Sequence, residues 1–215
     1  MSLCKAEILD FVRRNRVSTT EVADCLSKTG SIPGVHAITP GQFRAGNVHW
    51  VYTYEESNWP LHEQIRDIEE GDIVICQGFD CHGRALFGDL VSKYILLYQQ
   101  ASAIVARGML RDAHRLVKEQ WPIWCEGYNP EGCFNVRPRF QLDPLIIAEG
   151  KENYHGAIAV CDDTGVVVIP KEHHTLEFLD KLKAIEEMED IWYECIDRRK
   201  WSTFDTVCLK KYLLP

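Results

Sequence analysis

The chain contains no CxxC pair. Its nine cysteines, Cys4, Cys25, Cys76, Cys81, Cys125, Cys133, Cys161, Cys195 and Cys208, are odd in number and scattered. That spacing argues against a disulfide framework and a tetrahedral zinc site, and it fits reduced thiols in a cytoplasmic protein. Positive charge is also scarce: 24 Lys and Arg stand against 32 Asp and Glu, a formal charge of -8. Such a surface repels a polyanion, so direct nucleic-acid binding is not expected. No apolar run reaches the roughly 18 residues that span a bilayer. The opening Met1-Ser2-Leu3-Cys4-Lys5-Ala6-Glu7 meets an acid early and lacks the apolar stretch of a secretory signal. A soluble protein with no membrane segment is expected. Internal repeats, low-complexity segments and an S-adenosylmethionine-type glycine loop are missing as well.

What is present suits an ordinary globular core, with 46% hydrophobic and 26% charged residues over 215 positions. That length fits one domain, or one domain with an extension. Residues 4–14 read as an amphipathic helix, and Ser18-Thr19-Thr20-Glu21 has the capping-box pattern that starts a second. A strand-like run of branched and aromatic residues covers 48–54, and Pro60 opens a short helix. Ile73-Val74-Ile75-Cys76, Ala103-Ile104-Val105-Ala106 and Ile123-Trp124-Cys125 read as buried strands. Between the first two, Phe87, Leu90, Tyr94, Leu97 and Ala101 mark one helix face. A short helix after 112 leads into the third. Strand and helix alternating at these spacings predict parallel βαβ units. Asp162-Asp163-Thr164-Gly165 between apolar runs predicts an antiparallel hairpin, followed by a charged helix over 172–189. Residues 190–215 stay unassigned.

In such arrangements ligands bind beyond the carboxyl ends of the strands. Two loops lie there. Gly78 to Gly88 supplies Asp80, His82 and the backbone donors of a helix start. Gly108 to Asp112 sets Arg111 beside Asp112. An arginine can grip a carboxylate at two points, while an aspartate suits a hard divalent cation. Together they predict a site for a small metal-chelating acid. Other pairs read as structural: Cys81-His82 as a solvated loop, His173-His174 as a helix start, Asp162-Asp163 as a turn, and Arg198-Arg199-Lys200 as a solvated face.

Five segments, in order, carry a family resemblance: Thr19-Thr20-Glu21-Val22-Ala23-Asp24; Gly71-Asp72-Ile73-Val74-Ile75; Ala85-Leu86-Phe87-Gly88-Asp89-Leu90; Gly108-Met109-Leu110-Arg111-Asp112; and Asp162 through Pro170. From about residue 18 to 189 the chain resembles the RraA-like family. That family includes 4-hydroxy-4-methyl-2-oxoglutarate/4-carboxy-4-hydroxy-2-oxoadipate aldolases and regulators that bind ribonuclease E.

The resemblance implies an α/β fold, a swivelling phosphohistidine-like β/β/α domain with parallel βαβ units and an added C-terminal antiparallel hairpin. Residues 1–189 would form that domain and 190–215 an extension. It also implies a homotrimer or hexamer, completed by an acid from a neighbour's C-terminal helix, among Glu186, Glu187 and Glu189. By the same resemblance Arg111 would bind the carboxylate and keto oxygen of a pyruvate-type 2-oxo acid. Asp112 would hold Mg2+ or Mn2+, and Asp89 a water on that metal. Gly88 and Leu90 would add backbone donors, with Asp80 and Asp24 at the rim. The implied chemistry is retro-aldol cleavage or decarboxylation through an enolate; the regulators imply instead a protein partner such as an RNA-processing enzyme.

Three departures from the aldolase pattern matter: the segment from Tyr128 to Tyr154 is divergent and lacks the usual run of glycines, with His155-Gly156 in place of Pro-Gly-Asp, and two more lie at the site itself. Twenty-one residues separate Asp89 from Arg111, one more than in the pattern. Arg107 replaces an acid. The extra residue is expected near Gln99 to Ser102, which would keep Arg111 and Asp112 in register with Asp89; the other outcome places it at Arg107-Gly108 and swings Arg107 inward.

Overall fold

The computed structural model describes residues 3–214. Met1 and Ser2, part of the stretch read for a signal segment, and Pro215 of the tail lie outside the described residues. Helices α1 (Leu3–Asn15) and α2 (Thr19–Cys25) open the chain. The predicted capping box is formed: the Ser18 hydroxyl accepts from the Glu21 N–H, and the Glu21 carboxylate accepts from the Ser18 N–H at 2.7 Å.

Strands β1 (His36–Ala37) and β2 (Arg44–Tyr54), helix α3 (Trp59–Gln64), and strands β3 (Ile73–Phe79) and β4 (Ala85–Phe87) come next. Helix α4 (Asp89–Lys93) continues through a π-helical turn at Tyr94–Tyr98. Then follow β5 (Ala103–Leu110), α5 (Ala113–Lys118), β6 (Ile123–Tyr128), α6 (Pro144–Asn153), β7 (Ile158–Asp162), β8 (Gly165–Ile169) and α7 (Leu176–Tyr193). No helix among the described residues is long and apolar enough to cross a membrane.

The strands form one mixed sheet in the order β1-β6-β5-β3-β2-β7-β8, with β4 paired to β5. Its centre, β6-β5-β3-β2, is parallel, as the βαβ spacing predicts. The hairpin β7-β8 joins antiparallel through the first part of β2, Arg44 to Asn47. The sheet curls until its edges nearly meet. The segment before β1 hydrogen-bonds β8, Ile32 N to Val166 O at 2.9 Å, and Trp124 Nε1 donates across the interior to Asp162 O at 2.7 Å.

Side chains alternate with the pleat. Ile73, Ile75, Ala103 and Val105 point inward with Trp50 and Trp124, while Val74, Cys76, Ile104 and Ala106 point outward onto α3, α4 and α5. With both faces covered, these strands must be apolar throughout, which is why they read as continuous hydrophobic runs. On the other side α1, α2 and α7 cover the hairpin through Ile8, Val12, Val22, Phe178 and Leu182.

Several local expectations are revised. Phe87 belongs to a strand, not to the following helix, because Ala85 and Phe87 pair with the end of β5. The charged helix starts at Leu176 rather than Glu172, since the Thr175 hydroxyl caps it by accepting from the Phe178 N–H at 3.2 Å. It runs on through residue 193 and then, as a further π-helical turn, to Arg198. The divergent stretch after β6 carries α6, an element without a strong periodic signal. In the tail, Trp192 Nε1 donates to the Tyr212 hydroxyl at 3.2 Å.

Candidate functional site

Four loops meet at the carboxyl ends of the parallel strands: 55–58 after β2, 80–84 after β3, 111–112 after β5, and 129–136 after β6. The last crosses the others. Ala85 N donates to Glu131 O at 2.8 Å, Cys133 N to Ala85 O at 2.9 Å, and Asn58 N to Phe134 O at 3.1 Å. Arg84 pins the crossing, with Nε 2.8 Å from Glu56 Oε1 and its guanidinium over the Phe134 ring.

Asp89, Arg111 and Asp112 come together at the ends of β4 and β5. The Arg111 N–H donates to Phe87 O at 3.0 Å, which carries the β4–β5 pairing one residue beyond the strand. Asp112 then adopts a left-handed conformation with φ 59°, a shape an aspartate tolerates better than most residues. Its carboxylate turns back onto the start of α4, where Oδ2 accepts from the Asp89 N–H at 3.3 Å. Gly88 makes this approach possible: a Cβ there would lie 2.1 Å from Asp112 Oδ2 and 2.8 Å from Arg111 Cγ. Gly132 plays the same part below, since a Cβ on it would lie 2.7 Å from Arg111 Nη1.

The charges are balanced. Arg111 Nε stands 3.7 Å from Asp112 Oδ2, and Arg115 Nη1 stands 2.6 Å from Asp89 Oδ2. The Arg115 hydrogen bond holds the Asp89 carboxyl below the usual carboxylate range; contact with Asp112 adds to this, against some opposition from partial burial. Asp89 is therefore ionised at neutral pH. Half of the Arg111 side chain is exposed, so its fork can reach a solute.

Other predicted residues lie elsewhere. The Leu90 side chain is 77% exposed, beside an apolar groove lined by His62, Tyr94 and Tyr98, while its backbone N–H faces the Asp89 carboxylate. Asp80 lines a separate cleft of about 300 Å³ with Cys81, Arg84, Arg107 and Glu126. Asp24 pairs with Lys28 at 2.6 Å on α2, in the helix layer that covers the hairpin. Arg107 stays away from the carboxylates: Nη1 donates to the Tyr154 hydroxyl at 2.8 Å. The helix after β4 widens into a π turn at Tyr94–Tyr98 and β5 shifts register against β6 between Ala106 and Met109, and Asp112 still meets Asp89.

Sequence reasoning passed over Arg115 and Gly132. Arg115 lies three residues beyond Asp112, a spacing that shares a helix face and could have flagged it. Gly132 sits in no recognisable turn motif, and only the crossing of the 129–136 segment shows its use. Cys81, read as part of a solvated loop, is 7% exposed, whereas its neighbour His82 is exposed.

A cation at this site would be a hard one. Asp89 and Asp112 offer oxygen donors only, and the space against Gly88 that a Cβ would fill lets the Asp112 carboxylate sit there. Among the described residues no group of three or more His, Cys, Asp and Glu side chains could hold a metal ion.

Solved structures share the fold. An uncharacterized protein from Pseudomonas syringae pv. tomato superimposes with a TM-score of 0.68 at 21% identity, over 93% of this chain and 96% of that one. Streptomyces coelicolor RraAS2, described as an unusual member of the RNase ES inhibitor RraA protein family, gives 0.65 at 23% identity, over 86% and 94%. The RNA-processing inhibitor RraA from Thermus thermophilus gives 0.55 at 18% identity, over 71% and 92%. The RraA-like family profile, described as Aldolase/RraA, matches residues 19–168, most of the sheet and all four loops of the site. By that match, the chain belongs to the RraA-like family.

Proposed function

We propose that the protein is a Mg2+- or Mn2+-dependent lyase that cleaves or decarboxylates a small pyruvate-type 2-oxo acid through its enolate. The observation that carries this reading is the Asp112 carboxylate seated against Gly88 and the Asp89 N–H, with the half-exposed Arg111 fork beside it. Arg111 binds the substrate carboxylate by two parallel N–H contacts, which fixes the plane of the keto group. The Gly132 backbone beneath its guanidinium limits where that fork can swing. Asp89, kept ionised by Arg115, accepts a hydrogen bond from a water and orients it at the reacting carbon. Asp112 would hold the cation, which would supply positive charge where the enolate oxygen develops its negative charge.

In this reading the fold is of the swivelling β/β/α kind, residues 1–189 form the working unit and 190–215 an appended segment, and the protein is cytoplasmic. The site opens to solvent on one side, and an acid from a second copy, among Glu186, Glu187 and Glu189, would close it in a homotrimer or hexamer. Light scattering tests this, and a monodisperse monomer at micromolar concentration is the result against it.

The activity test is proton–deuterium exchange at the pyruvate methyl group, followed by NMR with and without Mg2+ or Mn2+. Exchange that requires the metal and disappears in Asp112→Ala supports the lyase. No exchange in the wild type with either metal overturns it. That outcome would turn attention to a second reading, a catalytically silent regulator bound to a protein partner such as an RNA-processing enzyme. The exposed Leu90, Leu97 and Tyr98 on one side of the α4 segment favour it, as do the inhibitor descriptions of the Streptomyces and Thermus proteins.

A further inference from the structure

A cleft of about 660 Å³ lies beside β2, and none of Asp89, Arg111 and Asp112 lines it. The strand exposes an edge there. Successive residues of a strand turn their backbone groups to opposite sides, and Val48 and Tyr52 turn theirs away from β3. The Val48 N–H donates to Ala157 O at 2.9 Å, and Val48 O accepts from the Gly156 N–H at 2.9 Å. At Tyr52 the partner is a side chain: Gln64 Oε1 accepts from the Tyr52 N–H at 3.3 Å, and Gln64 Nε2 donates to Tyr52 O at 2.8 Å. Trp50, midway between them, faces the same side. Pairing with β7 has ended at Asn47, and among the described residues nothing meets the Trp50 N–H or C=O there.

The opening is one residue wide. Val48 to Tyr52 spans about 13 Å of strand, and one opposing residue exchanges an N–H and a C=O bond with Trp50. A free α-amino acid offers the same two functions, since its ammonium donates to the Trp50 C=O while its carboxylate accepts from the Trp50 N–H. The charges along the cleft agree with that orientation. The Trp50 N–H lies toward Val48, the end where Lys5 Nζ donates to Gly156 O at 2.7 Å and where His155 lines the cleft with Lys151 one helix turn before it. The Trp50 C=O lies toward Tyr52, the end of Gln64 and, three residues on, Asp67. Asn47 lines the basic end, and its buried Oδ1 has no hydrogen-bond partner among the described residues. Turned over, that amide presents its NH2 to a carboxylate. Asp72 is already engaged, with Oδ2 accepting from the Glu69 N–H at 3.1 Å and standing 3.8 Å from His49 Nδ1.

We propose that this cleft binds a free α-amino acid as a one-residue strand partner of Trp50, with its carboxylate toward Lys5 and Lys151 and its ammonium toward Asp67. The ligand completes the edge that Gly156 and Ala157 cover at one end and the Gln64 amide covers at the other. Its side chain enters the remaining volume, walled by the His49 and His155 rings, which meet edge to face at 5.4 Å. Both charged ends of the ligand are needed, because each meets its own backbone group and its own end of the cleft.

This site shares no residue with the proposed lyase centre, so the test stands apart from that reading. The full-length protein, uniformly labelled for amide NMR, is titrated with each of the common L-amino acids while the Trp50 backbone amide is followed. At least one amino acid should shift that amide saturably and slow its hydrogen exchange by about tenfold or more. The N-acetyl derivative of that amino acid, which lacks the ammonium, and its carboxamide, which lacks the carboxylate, should each bind at least about tenfold more weakly. Lys151→Gln and Asp67→Asn change exposed side chains, so both should fold, and each should weaken binding by about tenfold. An unmoved Trp50 amide with every amino acid would overturn the proposal. So would a ligand-free Trp50 amide that exchanges as slowly as that of Val51, whose backbone faces β3, because the edge would then be closed. An N-acetyl derivative that binds as tightly as its parent would also overturn it and point to a peptide as the occupant.

Discussion

Replacing Gly88 by alanine tests the centre of the site with a single methyl group. Gly88 has φ -144° and ψ -151°, an extended shape that an alanine can adopt, so the effect is steric rather than conformational. The added Cβ would fall 2.1 Å from Asp112 Oδ2, where real Cβ atoms essentially never come closer than 3.0 Å. The carboxylate must therefore retreat by about 1 Å.

That retreat breaks the 3.3 Å bond from the Asp89 N–H. A hydrogen bond to a charged group is worth about 1.5–3 kcal/mol, and one this long belongs at the low end. Overpacking adds about 1–3 kcal/mol, and the reduced freedom of the unfolded chain offsets about 0.4–1 kcal/mol. The net destabilisation expected is about 1.5–4 kcal/mol, a fall in melting temperature of about 3–16 °C for a chain of this size. Turnover should suffer more. A misplacement of about 1 Å in a positioned group costs on the order of a hundredfold in rate. Calorimetry gives the first quantity and metal-dependent methyl exchange in pyruvate the second. Wild-type melting together with wild-type exchange in Gly88→Ala would refute the placement of Asp112 against this backbone.

Three further outcomes follow from the same geometry. Arg111→Lys keeps the charge but loses the planar two-point fit, so kcat/KM for pyruvate-type substrates should drop by about ten- to a hundredfold; undiminished turnover removes Arg111 from the site. In Arg115→Met the Asp89 carboxyl loses the hydrogen bond that holds it low, so the acid limb of the pH–rate profile should move to higher pH. Linkage has the same sign: stability from Asp89 is present above the unfolded carboxyl value and is lost as pH falls through the lowered folded value, a loss that should occur at higher pH in the variant. An unmoved acid limb, measured from pH 3 upward, would count against Asp89 as the titrating group. Gly150→Ala would place a Cβ 2.1 Å from Trp50 Cζ2, where α6 rests on the sheet. It should cost about 1–3 kcal/mol in urea unfolding at unchanged slope, and an unchanged midpoint would mean that α6 does not pack there.

Short-range signals in this chain were readable because the groups that decide them lie a few residues apart. The Ser18–Glu21 capping box, the Pro60 helix start and the Asp162-to-Gly165 hairpin each depend on their own neighbours. The strands at 73–76, 103–106 and 123–125 were legible because both of their faces are buried, which demands an unbroken apolar run. The family segments around Asp89 and Arg111 were legible as an ordered set. Other features depend on sheet register. Whether Phe87 is strand or helix is decided by pairing with β5, not by its own spacing. The contact of Asp112 with the Asp89 N–H spans twenty-three residues and depends on how β4 lies along β5. Arg115 reaches Asp89 only because α5 follows that contact, and Gly132 reaches Arg111 only because the 129–136 segment crosses the strand ends. Cys81, which looked solvated in its polar loop, is buried because that crossing lies over it. Local pattern determined the elements and the residue types at the strand ends; the curl of the sheet, which pairs groups far apart in the chain, decided which of those side chains meet.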